Sequence, residues 1–260
     1  MNIELNNQRA LVTGANSGIG REVALALGRN GARVAVNYLT RPEEAEQVVA
    51  DIKKSGVDAM AIQADVSDSA AVSRMFEKID KTWGGIDLLV NNAGIDGKRA
   101  MSWEIDPGDF AKVIEVNLLG AFHCAHEALR RMIKAGAGVV LNLTSVHEEI
   151  PWSGYAAYTA SKAGLSMLTK TLSQEAAPHG VRLLALAPGA VKTPINENVW
   201  SNPSSYKDLL TKIPLGRMAE ASEIGEMVVL LMSRAAGYIT GTTVFVDGGM
   251  TDFPSFEHGG

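Results

Sequence analysis

The sequence predicts a single α/β domain over residues 1–260, a doubly wound parallel sheet of seven strands with helices on both faces. Three observations carry that reading. Short apolar runs closed by turn residues alternate with longer helical patterns, and a glycine-rich turn follows the first run directly. At 260 residues, 46% apolar and 20% charged, the chain can fill one large core and lacks the polar excess of a disordered chain.

Taken in order, the first run, residues 9–13, stops at Gly14, and a helical pattern over 21–30 follows it. Residues 33–37 form the second run, with a helix over 43–55 behind it. The run 58–63 precedes a helical pattern at 70–83, and 88–91 ends in Asn91-Asn92. A long helix is predicted over 110–135, then a strand at 139–143, a helix at 157–177, and strands at 181–187 and 243–247. Strand and helix in alternation require right-handed crossovers that lay helices on both faces of a parallel sheet. Ligands of such sheets sit beyond the carboxyl ends of the strands, so the loops there should hold the chemistry. Residues 198–214, with Pro203, Ser204 and Ser205, are the least patterned, and a mobile lid over a site is expected at about 193–215.

The net charge of −5 leaves no basic footprint for nucleic acid, and no Lys/Arg block points to an anionic membrane surface. Small molecules are the expected partners. Cys124 alone cannot form an internal disulfide, and Met1-Asn2-Ile3-Glu4 has neither the basic flank nor the apolar run of a signal peptide. No apolar stretch reaches the roughly 18 residues a bilayer span needs, so a cytoplasmic location is expected. No metal is expected either: His123, Cys124 and His126 lie within one helix at a spacing that cannot converge on one ion.

Directly after the first strand stands Thr13-Gly14-Ala15-Asn16-Ser17-Gly18-Ile19-Gly20, opening a helix. Glycines allow a sharp turn and close backbone approach to a pyrophosphate, whose charge is favoured at a helix N-terminus. The residues from Gly14 to Gly20 are therefore candidate dinucleotide ligands in a Rossmann-type fold. The second strand leads into Asn37-Tyr38-Leu39-Thr40-Arg41, with no carboxylate to repel a 2′-phosphate and one arginine to meet it. Tyr38 and Arg41 thus predict acceptance of NADP, with NAD as the alternative or companion. Asp65-Val66, after the third strand, are candidates for the adenine, although an aspartate there can equally cap a helix.

Tyr158 and Lys162 are four residues apart, on one face of a helix. A free phenol titrates at about 10, and a nearby ammonium is needed to make it a useful acid or base near neutrality. Thirteen positions before Tyr158, Ser145 at a strand end offers a hydroxyl to a carbonyl or alcohol oxygen.

Together with Asn91-Asn92-Ala93-Gly94, Asn117 in Val116-Asn117-Leu118, and Pro188-Gly189 with Val191 and Thr193, these motifs resemble the short-chain dehydrogenase/reductase family over essentially the whole chain. The resemblance implies that Tyr158 exchanges the substrate proton while Ser145 steadies the oxygen. Lys162 would lower the tyrosine pKa and bind the nicotinamide ribose, and Asn117 would hold a water in a proton relay; from the residues alone, Asn117 can equally be a buried amide satisfied by backbone. It also implies that Asn92, Ala93 and Gly94 support sheet and cofactor, and that the segment from Pro188 and Gly189 through Val191 to Thr193 meets the nicotinamide.

Three stretches, Ser145-Val146-His147-Glu148-Glu149-Ile150-Pro151-Trp152, Thr193-Pro194-Ile195-Asn196 and the ending from Asp247 through Phe256, are similar to the bacterial glucose 1-dehydrogenases. That similarity implies oxidation of the anomeric hydroxyl of an aldose to the lactone by an assembly of four like subunits, with the tail 250–260 near the active site. Asp96, Ser145, His147 and Asn196 are the candidate sugar ligands, each loop residue also readable as merely solvated. Asp96, the run Lys98-Arg99-Ala100-Met101 and His258 depart from that pattern. The alternatives are a carbonyl or 3-oxoacyl reductase using NADPH, and a non-catalytic NADP-binding regulator, which would be expected to lack the tyrosine or lysine kept here.

Overall fold

The computed structural model describes residues 3–252. Its elements follow the chain as β1 (Arg9–Val12), α1 (Gly18–Arg29), β2 (Arg33–Tyr38), α2 (Pro42–Lys53), β3 (Ala59–Gln63), α3 (Ser69–Trp83), β4 (Leu88–Asn91), α4 (Pro107–Ile114), α5 (Gly120–Ala135), β5 (Gly138–Leu143), α6 (Ala156–Ala176) and β6 (Val181–Pro188). Then come β7 (Val191–Lys192), α7 (Glu197–Trp200), α8 (Pro203–Leu210), β8 (Ala219–Glu220), α9 (Ala221–Met232) and β9 (Thr243–Val246). Seven strands form one parallel sheet, as the sequence predicts; their order is β3-β2-β1-β4-β5-β6-β9, while β7 and β8 pair separately. The order reverses between β1 and β4, which opens a crevice at their carboxyl ends.

Alternation along the strands divides the core in two. Val12, Val34, Leu141 and Leu184 face α1, α2 and α9, meeting Leu27, Ile52 and Val228; Leu11, Leu89, Val140 and Leu183 face α3, α5 and α6, meeting Phe76, Met132 and Leu172. A sheet buried on both faces reads as continuous apolar runs, which is why its strands were legible.

The structure departs from the expected helices in three places. The long helix over 110–135 is interrupted by a π-helical turn, Glu115–Leu119, between α4 and α5. Residues 198–214 are not unstructured: α7 and α8 occupy much of them, α8 opening with Asn202, whose side chain accepts from the Ser204 and Ser205 amides, and with Pro203 in its first turn. The third is α9, where no helix is expected from the sequence; its apolar residues pack against α1. Of the expected tail, only residues 250–252 lie within the described part; Phe256 and His258 lie outside it.

Candidate active site

The crevice between β1 and β4 is floored by the glycine-rich turn. Gly14 and Gly18 take the left-handed region, at φ +60° and +55°, which strains any residue with a β-carbon. At Gly20 a β-carbon would fall on the Asn92 amide and the Gly14 carbonyl, and at Gly14 it would meet the Ala93 Cα at 3.0 Å. Ser17 begins α1 without capping it through its side chain, and no acidic residue stands in the first turn. The first amides of α1 are therefore left for an external anion. Ile19 turns inward and packs against the core.

Side chains in or directly after three strands hold this turn in place. The Asn92 amide donates to the carbonyls of Thr13 (2.8 Å) and Gly14 (3.0 Å), and the Thr13 hydroxyl accepts from the Asn92 and Ala93 backbone amides, each at 3.0 Å. From β2, the Asn37 side-chain oxygen accepts from the Gly14 amide at 3.2 Å, while its nitrogen donates to the carbonyls of Ile62 and Ala64. Thr13 and Asn37 were not singled out in the sequence. Their signal was a polar residue at the end of a buried strand, a position that demands a partner. A β-carbon on Gly18 would touch Thr193 at 3.8 Å, so the loop after β6 closes over the same turn. Gly189 lies so close to Asp247 that a β-carbon would sit 2.7 Å from its Cα, tying the ends of β6 and β9 together. Pro188 and Val191 flank it, both buried.

At the end of β2, Tyr38 is half-buried against the core. Arg41 is exposed in a left-handed conformation (φ 59°) and pairs with Glu44 at 2.9 Å; the Asn16 amide donates to the other Glu44 oxygen at 3.2 Å. Asp65 accepts from the Ser67 hydroxyl (2.6 Å) and amide (2.8 Å), bonds that hold its carboxyl below the usual range, while Asp68 caps α3. Val66 is buried against Gly120, and its carbonyl lies 3.1 Å from the His123 Nδ1.

Beyond the crevice the catalytic candidates converge. Ser145 follows β5 in extended conformation and is 7% exposed. One turn apart on α6, Lys162 lies with its Nζ 5.6 Å from the centre of the Tyr158 ring and donates to the Leu143 carbonyl at 2.8 Å. Burial pushes the Tyr158 phenol up to about 12; the Ser145 hydroxyl opposes the rise and the Asp96 carboxylate adds to it. Burial also brings the Lys162 ammonium down to about 8, against the pull of Asp96 and Glu148. In the protein alone, desolvation thus outweighs the Ser145 hydrogen bond, and the phenol stands above its ordinary value where the sequence predicts a lowered one.

Asn117 sits within the π-turn and is 1% exposed. Its oxygen accepts from the Ile95 amide at 2.8 Å, and its nitrogen donates to the Ile95 carbonyl (2.9 Å) and the Ser161 hydroxyl (3.0 Å). The amide is thus satisfied largely by backbone, and it pins the loop after β4. Gly94 on that loop passes so near that a β-carbon would lie 3.2 Å from the Asn117 oxygen and 3.7 Å from the Lys162 Nζ.

Asp96 follows, partly buried, with its carboxyl raised by burial against the attraction of Lys162 and His147. Burial lowers the His147 pKa, and its Nδ1 lies 3.0 Å from the Ile150 carbonyl. A carbonyl only accepts, so the neutral ring carries its proton on Nδ1 and keeps Nε2 as an acceptor. His147 stacks on Trp152 (4.4 Å), Trp152 stacks on Tyr155 (3.9 Å), and Tyr158 stands edge-on to Trp152 at 5.8 Å. Asn196 is not presented in this way: its oxygen accepts from the Thr193 amide and hydroxyl, and its nitrogen donates to the Val191 carbonyl at 2.8 Å. Among the described residues no group of three or more His, Cys, Asp or Glu could hold a metal ion, and no helix is long and apolar enough to cross a membrane.

A family profile described as enoyl-(acyl carrier protein) reductase matches residues 14–251. The chain is 40% identical to 3beta-hydroxysteroid dehydrogenase 1 of Eggerthella lenta, over 98% of each chain, and 38% identical to glucose 1-dehydrogenase 2 of Bacillus subtilis, over 97% of this chain and 98% of that one. Among solved structures, a gluconate 5-dehydrogenase from Burkholderia cenocepacia in complex with NADP and tartrate superposes with a TM-score of 0.91 at 33% identity, covering 96% of this chain and 98% of that one. A glycine-rich turn opening a helix with free first amides, and relatives of matching length and architecture, lead to one conclusion: the chain belongs to the short-chain dehydrogenase/reductase family and is an oxidoreductase that uses NAD or NADP.

Proposed function

We propose that this enzyme oxidises the anomeric hydroxyl of an aldose such as glucose to the lactone. The observation that carries the reading is the Asp96 carboxylate, half-buried, accepting no hydrogen bond from another described residue, and close enough to Tyr158, Lys162 and His147 to shift their titration. A carboxylate held out of water in this way suits a ligand rich in hydroxyl donors. The neutral His147 Nε2 offers a second acceptor, while the similarity of the Ser145 to Trp152 segment to glucose 1-dehydrogenases supports the same choice.

The bound nicotinamide supplies the hydride acceptor. Ser145 donates to the substrate oxygen and holds it beside Tyr158, whose phenolate takes the hydroxyl proton. The Lys162 ammonium favours that phenolate and binds the nicotinamide ribose. Asn117 holds the loop bearing Gly94 and Asp96 against these groups and has a place in the relay that returns the proton to water. Residues 193–215 act as a lid through Thr193, with Asn196 bracing its turn. Four like subunits in the cytoplasm complete the reading.

A second reading is supported by the apolar side chains exposed on the same loops, Met101, Trp103, Ile195 and Leu215, which suit a less polar ring alcohol such as a hydroxysteroid. Initial rates with NAD⁺ and NADP⁺ on aldoses, hydroxysteroids and simple alcohols, and with NADPH on 3-oxoacyl esters, distinguish the two. Turnover of glucose or a related aldose, abolished in Tyr158→Phe with coenzyme binding retained, is expected; turnover of hydroxysteroids or oxoacyl esters alone overturns the aldose reading.

A further inference from the structure

We propose that Glu44 selects the coenzyme, supplying from α2 the ribose-facing acid that the end of β2 lacks and holding Arg41 away from a 2′-phosphate. The inference depends on the pyrophosphate lying in the glycine-rich turn, a consequence of family membership, and not on the aldose reading. In such folds the adenosine ribose reaches the end of the second strand, where an acid favours the free 2′-hydroxyl and an arginine favours the 2′-phosphate. Here the strand ends in Tyr38 and runs into Arg41, so sequence order offers only the arginine.

The fold changes that balance. Glu44 lies in the first turn of α2, where the helix dipole favours its negative charge, and Glu43 beside it adds another. One Glu44 oxygen accepts from the Arg41 guanidinium at 2.9 Å and the other from the Asn16 amide at 3.2 Å; Asn16 also reaches the Thr40 carbonyl at 3.4 Å. A single carboxylate therefore bridges the glycine-rich turn and the loop after β2, the two segments that must flank the ribose. Arg41 is fixed from the backbone side as well, by its left-handed conformation and by Pro42 behind it.

A 2′-phosphate entering here meets an arginine already neutralised and a carboxylate of its own sign. An unphosphorylated ribose meets an acceptor already oriented by Asn16. Because both members of the pair are exposed, with side chains 53% and 36% accessible, their attraction is modest and a phosphate can displace it. The enzyme should thus accept both coenzymes, with NADP disfavoured by Glu44 and favoured by Arg41.

Calorimetric titration of the wild-type enzyme with NADH and NADPH, without substrate, reads this directly. Glu44→Gln keeps the Asn16 contact possible while removing the charge, and is expected to lower the ratio of the NADPH to the NADH dissociation constant by about fivefold. Arg41→Ala is expected to raise the same ratio by at least as much. Any change confined to folding moves both coenzymes together. An unchanged ratio in Glu44→Gln overturns the proposal, whatever the substrate proves to be.

Discussion

Tyr158 and Lys162 are each driven by burial toward their neutral forms, the phenol up to about 12 and the ammonium down to about 8. In the proposed reaction, oxidation needs the phenolate and reduction needs the phenol. Alcohol oxidation should accordingly rise with pH above neutrality, whereas NADPH-driven reduction should be greatest near neutrality, as initial rates in the two directions will show. Lys162→Met should lower kcat by about 10²- to 10⁴-fold and move the rise in oxidation to higher pH. The same burial has a consequence for stability. An ammonium whose folded pKa is depressed destabilises the fold fully below about 8, and this penalty fades as pH rises toward the free value of 10.5. Between pH 8 and 10 the native state has released the proton that the unfolded chain still holds, so the stability of wild type should increase relative to Lys162→Met. Tyr158, shifted upward from 10.0, acts in the opposite sense only above that window. Denaturant midpoints for both proteins across the range test the sign.

At the scale of elements, Asn117 connects helix to loop. Replacing it with Leu leaves the Ile95 amide and carbonyl without their side-chain partners, at a cost of about 1–3 kcal/mol, readable from urea unfolding. The loop carrying Gly94 and Asp96 would be freed from Lys162, so turnover should fall by more than the stability loss explains. What could be read from the sequence follows from the range of each interaction. Gly14, Gly18 and Gly20, and Tyr158 with Lys162, were legible because the turn and the helix face fix their spacing locally. The strands β1, β2, β4, β5 and β6 were legible because their apolar residues are buried on both faces, whereas β3 and β9, at the sheet edges, are only partly covered. Asn37 and Thr13 join the turn to β3 and β4 through bonds that span tens of residues, and no local pattern contains such bonds. The helices α7 and α8, of four and eight residues, are too short to establish an amphipathic period. Asn196 looked like a sugar ligand because a loop asparagine can serve either a ligand or its own turn, and only coordinates reveal its bonds to Thr193 and Val191.

For the whole molecule, the crevice unites segments that are remote in the chain: the turn after β1, the loops after β2 and β4, and the Thr193 segment after β6. Asn92 and Asn37 already join the first three, and Thr193 lies near Gly18, so a dinucleotide that spans the crevice binds a surface present only in the folded state. Binding to the folded state alone stabilises by RT ln(1 + [L]/Kd), about 2.7 kcal/mol at a hundredfold excess over Kd. In a chain of this size each kcal/mol is worth roughly 2–4 °C, so saturating coenzyme should raise the melting temperature by about 5–10 °C. The rise should continue with the logarithm of coenzyme concentration, and Gly18→Val should reduce it, since a branched side chain there is strained at φ +55° and fills the approach to the α1 amides. A melting temperature insensitive to both coenzymes would mean that the glycine-rich turn does not receive the pyrophosphate. Because this measurement needs no substrate, it separates the binding site from every question about which alcohol the enzyme oxidises.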